Sequence, residues 1–407
     1  MKFDPSNTLF VLLSMILVMM MTPVGLALFY GGMTRTKNIL NTIGMVFIAY
    51  VTTSLVWIFW GYSIAFGDDV VGVVGSLKNV FLMNLPSVWQ TGNIPTVLFA
   101  LFQMTFAAIT IALIGGAVIE RMKFQTWIII SILWVTFVYA PIAHWVWGGG
   151  FLAKLGVLDL AGGLAVETSS GIAGLVLAIL LGNRRDYNKK AILPSSTIFT
   201  AIGAGMLWFG WFGFNAGSEL AIDSVAINAV LTTNTAAAAG VISWMIAEYL
   251  KVKKFTILGA SSGAVAGLVA ITPAAGFVDF IGATIIGLIA GVLGFFGVFW
   301  LKKKFGYDDS LDVFGIHGLC GIWGTLATGI FANPSVNPIG KGLIYGNPKQ
   351  FFIQILALIV VILFNAIATA VVYFISSFIT KGARVDEDTE VRGLDETVHG
   401  ERGFEFR

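Results

Sequence analysis

The sequence predicts an all-α, polytopic membrane protein from its composition, its shortage of charge and its regularly spaced apolar segments. Of the 407 residues, 57% are hydrophobic and only 11% are charged, and the mean hydropathy is +0.88. A soluble domain carries about a quarter charged residues, so this shortage indicates a lipid environment. The chain has one cysteine, which rules out a disulfide within it.

About eleven segments have close to the ~20 apolar residues that a spanning helix needs. The first continues too far to be a secretory signal and shows no clear small-residue cleavage site, so it is interpreted as a helix. These segments predict one membrane domain over 1–380, followed by a polar tail over 381–407. The predicted spans are 7–30, 41–66, 95–119, 125–146, 161–182, 196–217, 225–250, 256–272, 278–301, 313–332 and 350–380.

The basic residues predict the orientation of these helices. They cluster after the first, third, fifth, seventh and ninth segments, whereas the alternate loops hold only Lys78, Lys154, Lys341 and Lys349. Because loops rich in Lys and Arg stay in the cytoplasm, the N-terminus is predicted outside and the tail inside.

An internal repeat links the fifth and tenth helices. Asp159 and Glu167 begin the pattern D-x7-[E/H]-x3-G-I-x-G, and Asp309 and His317 begin it again 150 residues later. A weaker G-x3-F-x2-G echo links the first and sixth helices. With five helices in each half, the pattern predicts two inverted repeats, over about 7–182 and 196–332, plus an extra helix over 350–380.

Glu167 and His317 are the ionisable residues predicted to lie deepest in the membrane. Such a group costs at least about 2.5 kcal/mol in hydrocarbon, so it normally faces a pathway or a partner. Together the two could relay a proton or stabilise a cation. The alternative is a neutral glutamic acid bound to a backbone carbonyl, and spacing alone does not establish that the two side chains meet.

Aromatic residues gather at the helix ends that are predicted to face outward, in HWVWGGG (144–150) and GWFGFNAGS (210–218). Belts of Trp at the interface are ordinary in membrane proteins. Near a buried acid, the same rings could also bind an ammonium-like ion through cation–π contacts, which contribute about 2 kcal/mol when desolvated. Core packing is the simpler interpretation of the pair Phe102 and Phe106.

Taken together, these motifs resemble the ammonium transporter family (Amt/Mep/Rh), and within it the Amt branch. The resemblance covers essentially the whole chain in order. It is carried by GLALFYGG (25–32), FALFQMTFA (99–107), PIAHWVWGGG (141–150), GWFGFNAGS (210–218), ITPAAGF (271–277), DVFGIHGLCGIWG (312–324) and GLDETVHGE (393–401).

The resemblance implies a homotrimer in the cell membrane with an apolar pore in each subunit. It implies that Trp147, Ser218 and Phe106 recruit ammonium, and that Phe106 and Phe214 stack as a gate below. Asp159 is implied to be structural, and an Asp before a helix start is also a good N-cap. A regulator of the PII type is the implied partner at the cytoplasmic face, and no cofactor is implied.

Glu167 departs from the family pattern, which has histidine there as the partner of His317. An acid at this position resembles a variant found in some fungal members. The sequence therefore predicts an ammonium transporter, not an enzyme, that deprotonates ammonium and relays the proton through Glu167 and His317. The alternatives are an ammonium sensor signalling through its charged tail and a gas channel of the Rh type. No phosphate loop or metal-spaced cluster favours an enzyme, and nothing indicates a nucleic-acid partner.

Overall fold

The computed structural model describes residues 3–190 and 192–404, and the last three residues of the predicted tail lie outside it. Ten helices in the described part are long and apolar enough to cross a membrane, and a shorter apolar helix lies between the seventh and eighth of them. The helices are α1 (Pro5–Met33), α2 (Thr36–Phe66), α3 (Thr96–Gly115), α4 (Phe124–Leu155), α5 (Gly163–Leu181), α6 (Thr197–Gly217), α7 (Ser224–Val252), α8 (Ile257–Ile271), α9 (Phe280–Phe305), α10 (Phe314–Phe331) and α11 (Pro348–Ile379).

The all-α fold class is confirmed, with differences at several predicted boundaries. Helix α8 has 15 residues, fewer than a span usually needs. Helix α3 ends at Gly115 instead of 119, because the chain turns there and the carbonyls of Gly116 and Ala117 bind the backbone N–H groups of Leu311 and Ser310. An isolated β-bridge joins Met122 and Arg384. The strands of the described residues form two short hairpins between α2 and α3, made of β1 (Asp69–Val70), β2 (Val74–Gly75), β3 (Val88–Trp89) and β4 (Ile94–Pro95).

Helices α5 and α10 cross with their backbones in contact. A Cβ atom on Gly171 would lie 2.2 Å from Cα of Gly318, and one on Gly321 would lie 2.7 Å from the backbone nitrogen of Thr168. Glycine allows this approach because it has no side chain at the crossing. Gly321 is 150 residues after Gly171, and Thr168 is 150 residues before Gly318. The two contacts are therefore equivalent in the two halves of the chain.

The same two helices begin with π-helical turns, over Gly163–Thr168 in α5 and Phe314–Gly318 in α10. Glu167 lies in the first turn and His317 in the second. A π-helical turn widens the helix by one residue and often marks a functional position. The sequence pattern did not predict these turns.

Helix α11 joins both halves of the bundle through polar side chains. The side-chain amide of Gln354 donates to the carbonyls of Leu158 and Thr325, which belong to different halves. Asn365 donates to the carbonyl of Ser169 in α5. These buried contacts fix α11 against the crossing helices.

Residues 381–404 lie on one end of the bundle, which we call the tail face. A buried ion-pair network ties the helix ends together there, with Glu120 bound to Arg35 and Arg184, and Arg184 bound to Asp308. Burial alone raises the pKa of Glu120, but the two arginines outweigh it and hold that pKa at about 2. The tail carries α12 (Glu387–Arg392).

The tail is hydrogen-bonded to the start of α2. The carboxylate of Asp395 accepts bonds from the backbone N–H groups of Leu40 and Asn41, at 3.0 and 2.8 Å. Leu394 is fully buried. The tail is therefore a folded part of this face.

Candidate functional site

A cavity of about 270 Å³ lies at the face opposite the tail, where α3 begins. Three of the predicted site residues, Phe106, Trp147 and Ser218, line it together. They come from three different helices or helix ends, so only the folded chain brings them together. The remaining lining is mainly apolar or aromatic.

Hydrogen bonds hold two of these side chains in place. The indole N–H of Trp147 donates to the carbonyl of Asp159 at 2.8 Å, which fixes the ring. Trp147 lies in a non-helical stretch of α4, between Val146 and Phe151. The hydroxyl of Ser218 donates to the carbonyl of Phe214 at 2.8 Å. Because its proton is used there, the Ser218 oxygen is left as an acceptor for a donor in the cavity.

Phe106 and Phe214 are stacked at the base of the cavity. Their ring centroids are 4.2 Å apart and the planes differ by 19°. Both side chains are essentially fully buried. Phe106 also meets the edge of Trp147, with centroids 6.3 Å apart. The aromatic surface is thus continuous from the cavity to the stacked pair.

Glu167 and His317 are in direct contact inside the bundle. Nδ1 of His317 lies 2.7 Å from Oε2 of Glu167, and the two residues are 3% and 1% exposed, respectively. An ionised carboxylate can only accept, so with Glu167 ionised Nδ1 is the donor and Nε2 of a neutral imidazole is an acceptor. Such a pair can hold one proton between two sites and exchange it as a unit.

Asp159 caps the π-helical start of α5. Its two carboxylate oxygens accept hydrogen bonds from the backbone N–H groups of Gly162, Gly163, Leu164 and Ala165, at 2.8–3.1 Å. Burial raises the pKa of Asp159 to about 6, and the four backbone donors oppose that shift. The last of these donors, Ala165, is two residues before Glu167, so Asp159 holds the backbone that leads to Glu167. The carbonyl of Asp159 also fixes Trp147.

Sequence reasoning missed part of the cavity wall. Gln103 and Phe99 line it with Phe106, and their spacing of three and four residues on α3 could have identified them. Trp89 stacks on Phe99, with centroids 3.9 Å apart. It lies in the hairpin of β3 and β4, and no helical pattern could have placed it there.

His144 stands apart from the cavity. Its ring nitrogens lie 2.9 Å from the carbonyl of Ala65 and 2.9 Å from Asp69. These contacts fasten α4 to the end of α2 and the first hairpin. His144 therefore has a structural position in this fold.

Comparison with known proteins identifies the family of this chain. The sequence model of the Ammonium Transporter Family matches residues 9–404. The chain belongs to the ammonium transporter family. It is 50% identical over 404 residues to an ammonium transporter of Aquifex aeolicus, covering 99% of this chain and 94% of that protein.

Solved structures share the fold of this ammonium transporter family member. Mep2 of Saccharomyces cerevisiae matches with a TM-score of 0.89 and 36% identity, over 95% of this chain and 89% of Mep2. A protein described as a sensor Amt protein matches with a TM-score of 0.90 at 28% identity, over 97% and 98% of the two chains. The Aquifex aeolicus transporter is thus more similar in sequence than either solved structure, and both solved structures share the fold of this chain.

Proposed function

We propose that the protein transports ammonium across the cell membrane and is not an enzyme. The observation that carries this proposal is the convergence of Phe106, Trp147 and Ser218 on one cavity that ends at stacked phenyl rings. Family membership and the relative named as an ammonium transporter support the same substrate.

The cavity recruits the ion by two kinds of contact. The faces of Trp147 and Phe106 attract a cation, and the oxygen of Ser218 accepts one of its N–H bonds. Potassium has no hydrogen to donate, so it gains only the first kind of contact. The cavity thereby favours ammonium over a metal cation of the same charge.

Beyond the stacked rings, ammonium loses a proton and ammonia continues through the apolar pore. Glu167 and His317 accept and pass that proton, so one positive charge crosses for each molecule. Their 2.7 Å separation and burial support this role, because proton exchange needs direct hydrogen-bond contact. The acid distinguishes this pair from two imidazoles, since it can balance the charge of an imidazolium.

The tail face is cytoplasmic in this proposal, which follows from the basic residues that gather there. The active form is a homotrimer in the cell membrane, with a pore in each subunit. A regulatory protein of the PII type binds the tail face. The two inverted repeats form the pore walls, and the reciprocal contacts of Gly171 and Gly321 support that arrangement.

Uptake of methylammonium in a host without ammonium transporters tests the function. Saturable uptake with an inward current in proteoliposomes is expected, and ammonium should compete with it. Uptake without current would support a gas channel instead. Absence of uptake, with a regulator bound to the tail face only when ammonium is present, would support a sensor and overturn transport.

A further inference from the structure

A groove of about 360 Å³ opens on the outside of the bundle between α4 and α11. Its lining is almost wholly apolar, and Phe137 and Val371 on its rim are 59% and 52% exposed. None of the site residues described above contributes to it. The lining residues are Leu133, Phe137, Ala368, Val371, Val372 and Ile375.

Two hydrogen bonds fix the positions of α4 and α11 relative to each other along the groove. Trp134 donates to Thr369, and the hydroxyls of Thr126 and Thr380 pair near the tail face. Because α4 rises 1.5 Å per residue, the groove over Leu133 to Phe137 lies roughly 10 to 16 Å from the level of Thr126. Half the hydrocarbon core of a bilayer is about 15 Å. The groove therefore has the depth of an acyl chain within one leaflet.

Positive charge stands at the tail-face end of this groove. The ammonium of Lys123 donates to the carbonyls of Thr380 and Lys381 at 3.2 and 3.3 Å, which leaves one of its three N–H bonds. The side chain of Lys381 is exposed and makes no hydrogen bond or ion pair with the described residues. Two cations thus mark the depth at which a lipid phosphate lies.

We propose that this groove binds one acyl chain of an anionic phospholipid, whose phosphate is held by Lys123 and Lys381. An anionic phospholipid has a charged headgroup and a long apolar chain. This matches an apolar groove that has cations at its tail-face end. Exposed apolar residues run along the whole of α11, so a helix from a second copy could also pack there. Such a helix would leave both lysines without a negative partner, whereas the phosphate of an anionic lipid supplies one. The proposal does not depend on the transported substrate.

Retention of lipid by the purified full-length protein tests this proposal. The probes are phosphatidylglycerol and phosphatidylcholine with the same acyl chains, counted as bound molecules by native mass spectrometry. The wild type should retain more phosphatidylglycerol. One lysine near anionic lipid contributes about 1 kcal/mol, so Lys381→Gln should weaken retention about fivefold. Lys349→Gln, at the opposite end of α11, is the matched control and should retain as much as wild type.

A second pair of variants tests the groove itself. Val371→Trp fills it and should lower retention of both lipids, whereas Ile367→Trp changes an exposed residue of α11 outside the groove and should not. Equal retention by Lys381→Gln and wild type would overturn the proposal. So would a changed oligomeric mass of Val371→Trp with unchanged lipid retention, because the groove would then be a contact between copies.

Discussion

Nδ1 of His317 lies 2.7 Å from Oε2 of Glu167, and the two residues are 150 positions apart in the chain. Each stands in a π-helical turn at the start of its helix. The crossing of α5 and α10 through Gly171 and Gly321 brings these turns together. The contact is therefore built from equivalent positions of the two halves, although one half supplies an acid and the other an imidazole.

Trp147→Leu should weaken the apparent affinity for methylammonium. Removing a cation–π contact of about 0.5 to 2 kcal/mol raises KM between about twofold and thirtyfold, with little change in the maximal rate. Concentration series of uptake in proteoliposomes measure this. Trp300→Leu, a change at a ring that is 45% exposed near the other end of the bundle, is the control. An unchanged KM for Trp147→Leu would remove this ring from the recruitment site.

Glu219 should make recruitment depend on pH. Burial, with a smaller contribution from Asp223, raises the pKa of Glu219 to about 7. It stands between Ser218 and Leu220, which line the cavity. As pH rises through 7 the carboxyl group becomes negative, so it attracts the cation more strongly and KM should fall.

Measured KM between pH 6 and 8 checks this expectation. The fall of KM with rising pH should disappear in Glu219→Gln. It should persist in the control Asp68→Asn, which changes an acid in the segment before α3 whose side chain is 71% exposed. If KM changes with pH equally in wild type and in Glu219→Gln, the pH dependence belongs to another group.

Gly171→Ala should destabilise the folded protein. The added methyl would lie 2.2 Å from Cα of Gly318, and backbone atoms cannot move aside as a side chain can. Overpacking of this kind costs about 1 to 3 kcal/mol. The unfolding temperature in detergent should fall.

Gly205→Ala is the matched control, because a Cβ there meets nothing within 4 Å. Alanine is also the better helix former, so the control should be unchanged or slightly more stable. If Gly171→Ala unfolds at the wild-type temperature, the close crossing of α5 and α10 is wrong.

Much of the fold could be predicted because hydrophobic length and glycine spacing are local signals. The cost of an ionisable group in lipid identified Glu167 and His317 as special. Their contact could not be predicted, because it depends on two π-helical turns and a helix crossing that hydrophobic periodicity does not record. The early end of α3 likewise depends on a tertiary contact, between Gly116 and Leu311.

The cavity residues were likewise only partly predictable from the sequence. Trp147, Ser218 and Phe106 were expected together from the family resemblance, and the structure places them around one cavity. Gln103 could have been found from its position on the helix face of Phe106. Trp89 could not, because the loop that carries it has no periodic pattern.

The ammonium-evoked current of Glu167→Gln in proteoliposomes tests the proton relay most directly. Glutamine keeps the shape and can still accept a hydrogen bond from His317, but its amide cannot take up a proton. The relay predicts a current at least about a hundredfold below wild type in a folded protein, because general acid–base groups commonly contribute about that factor or more. Glu167→His, which restores two titratable groups, should retain current. A wild-type current in Glu167→Gln would contradict the relay.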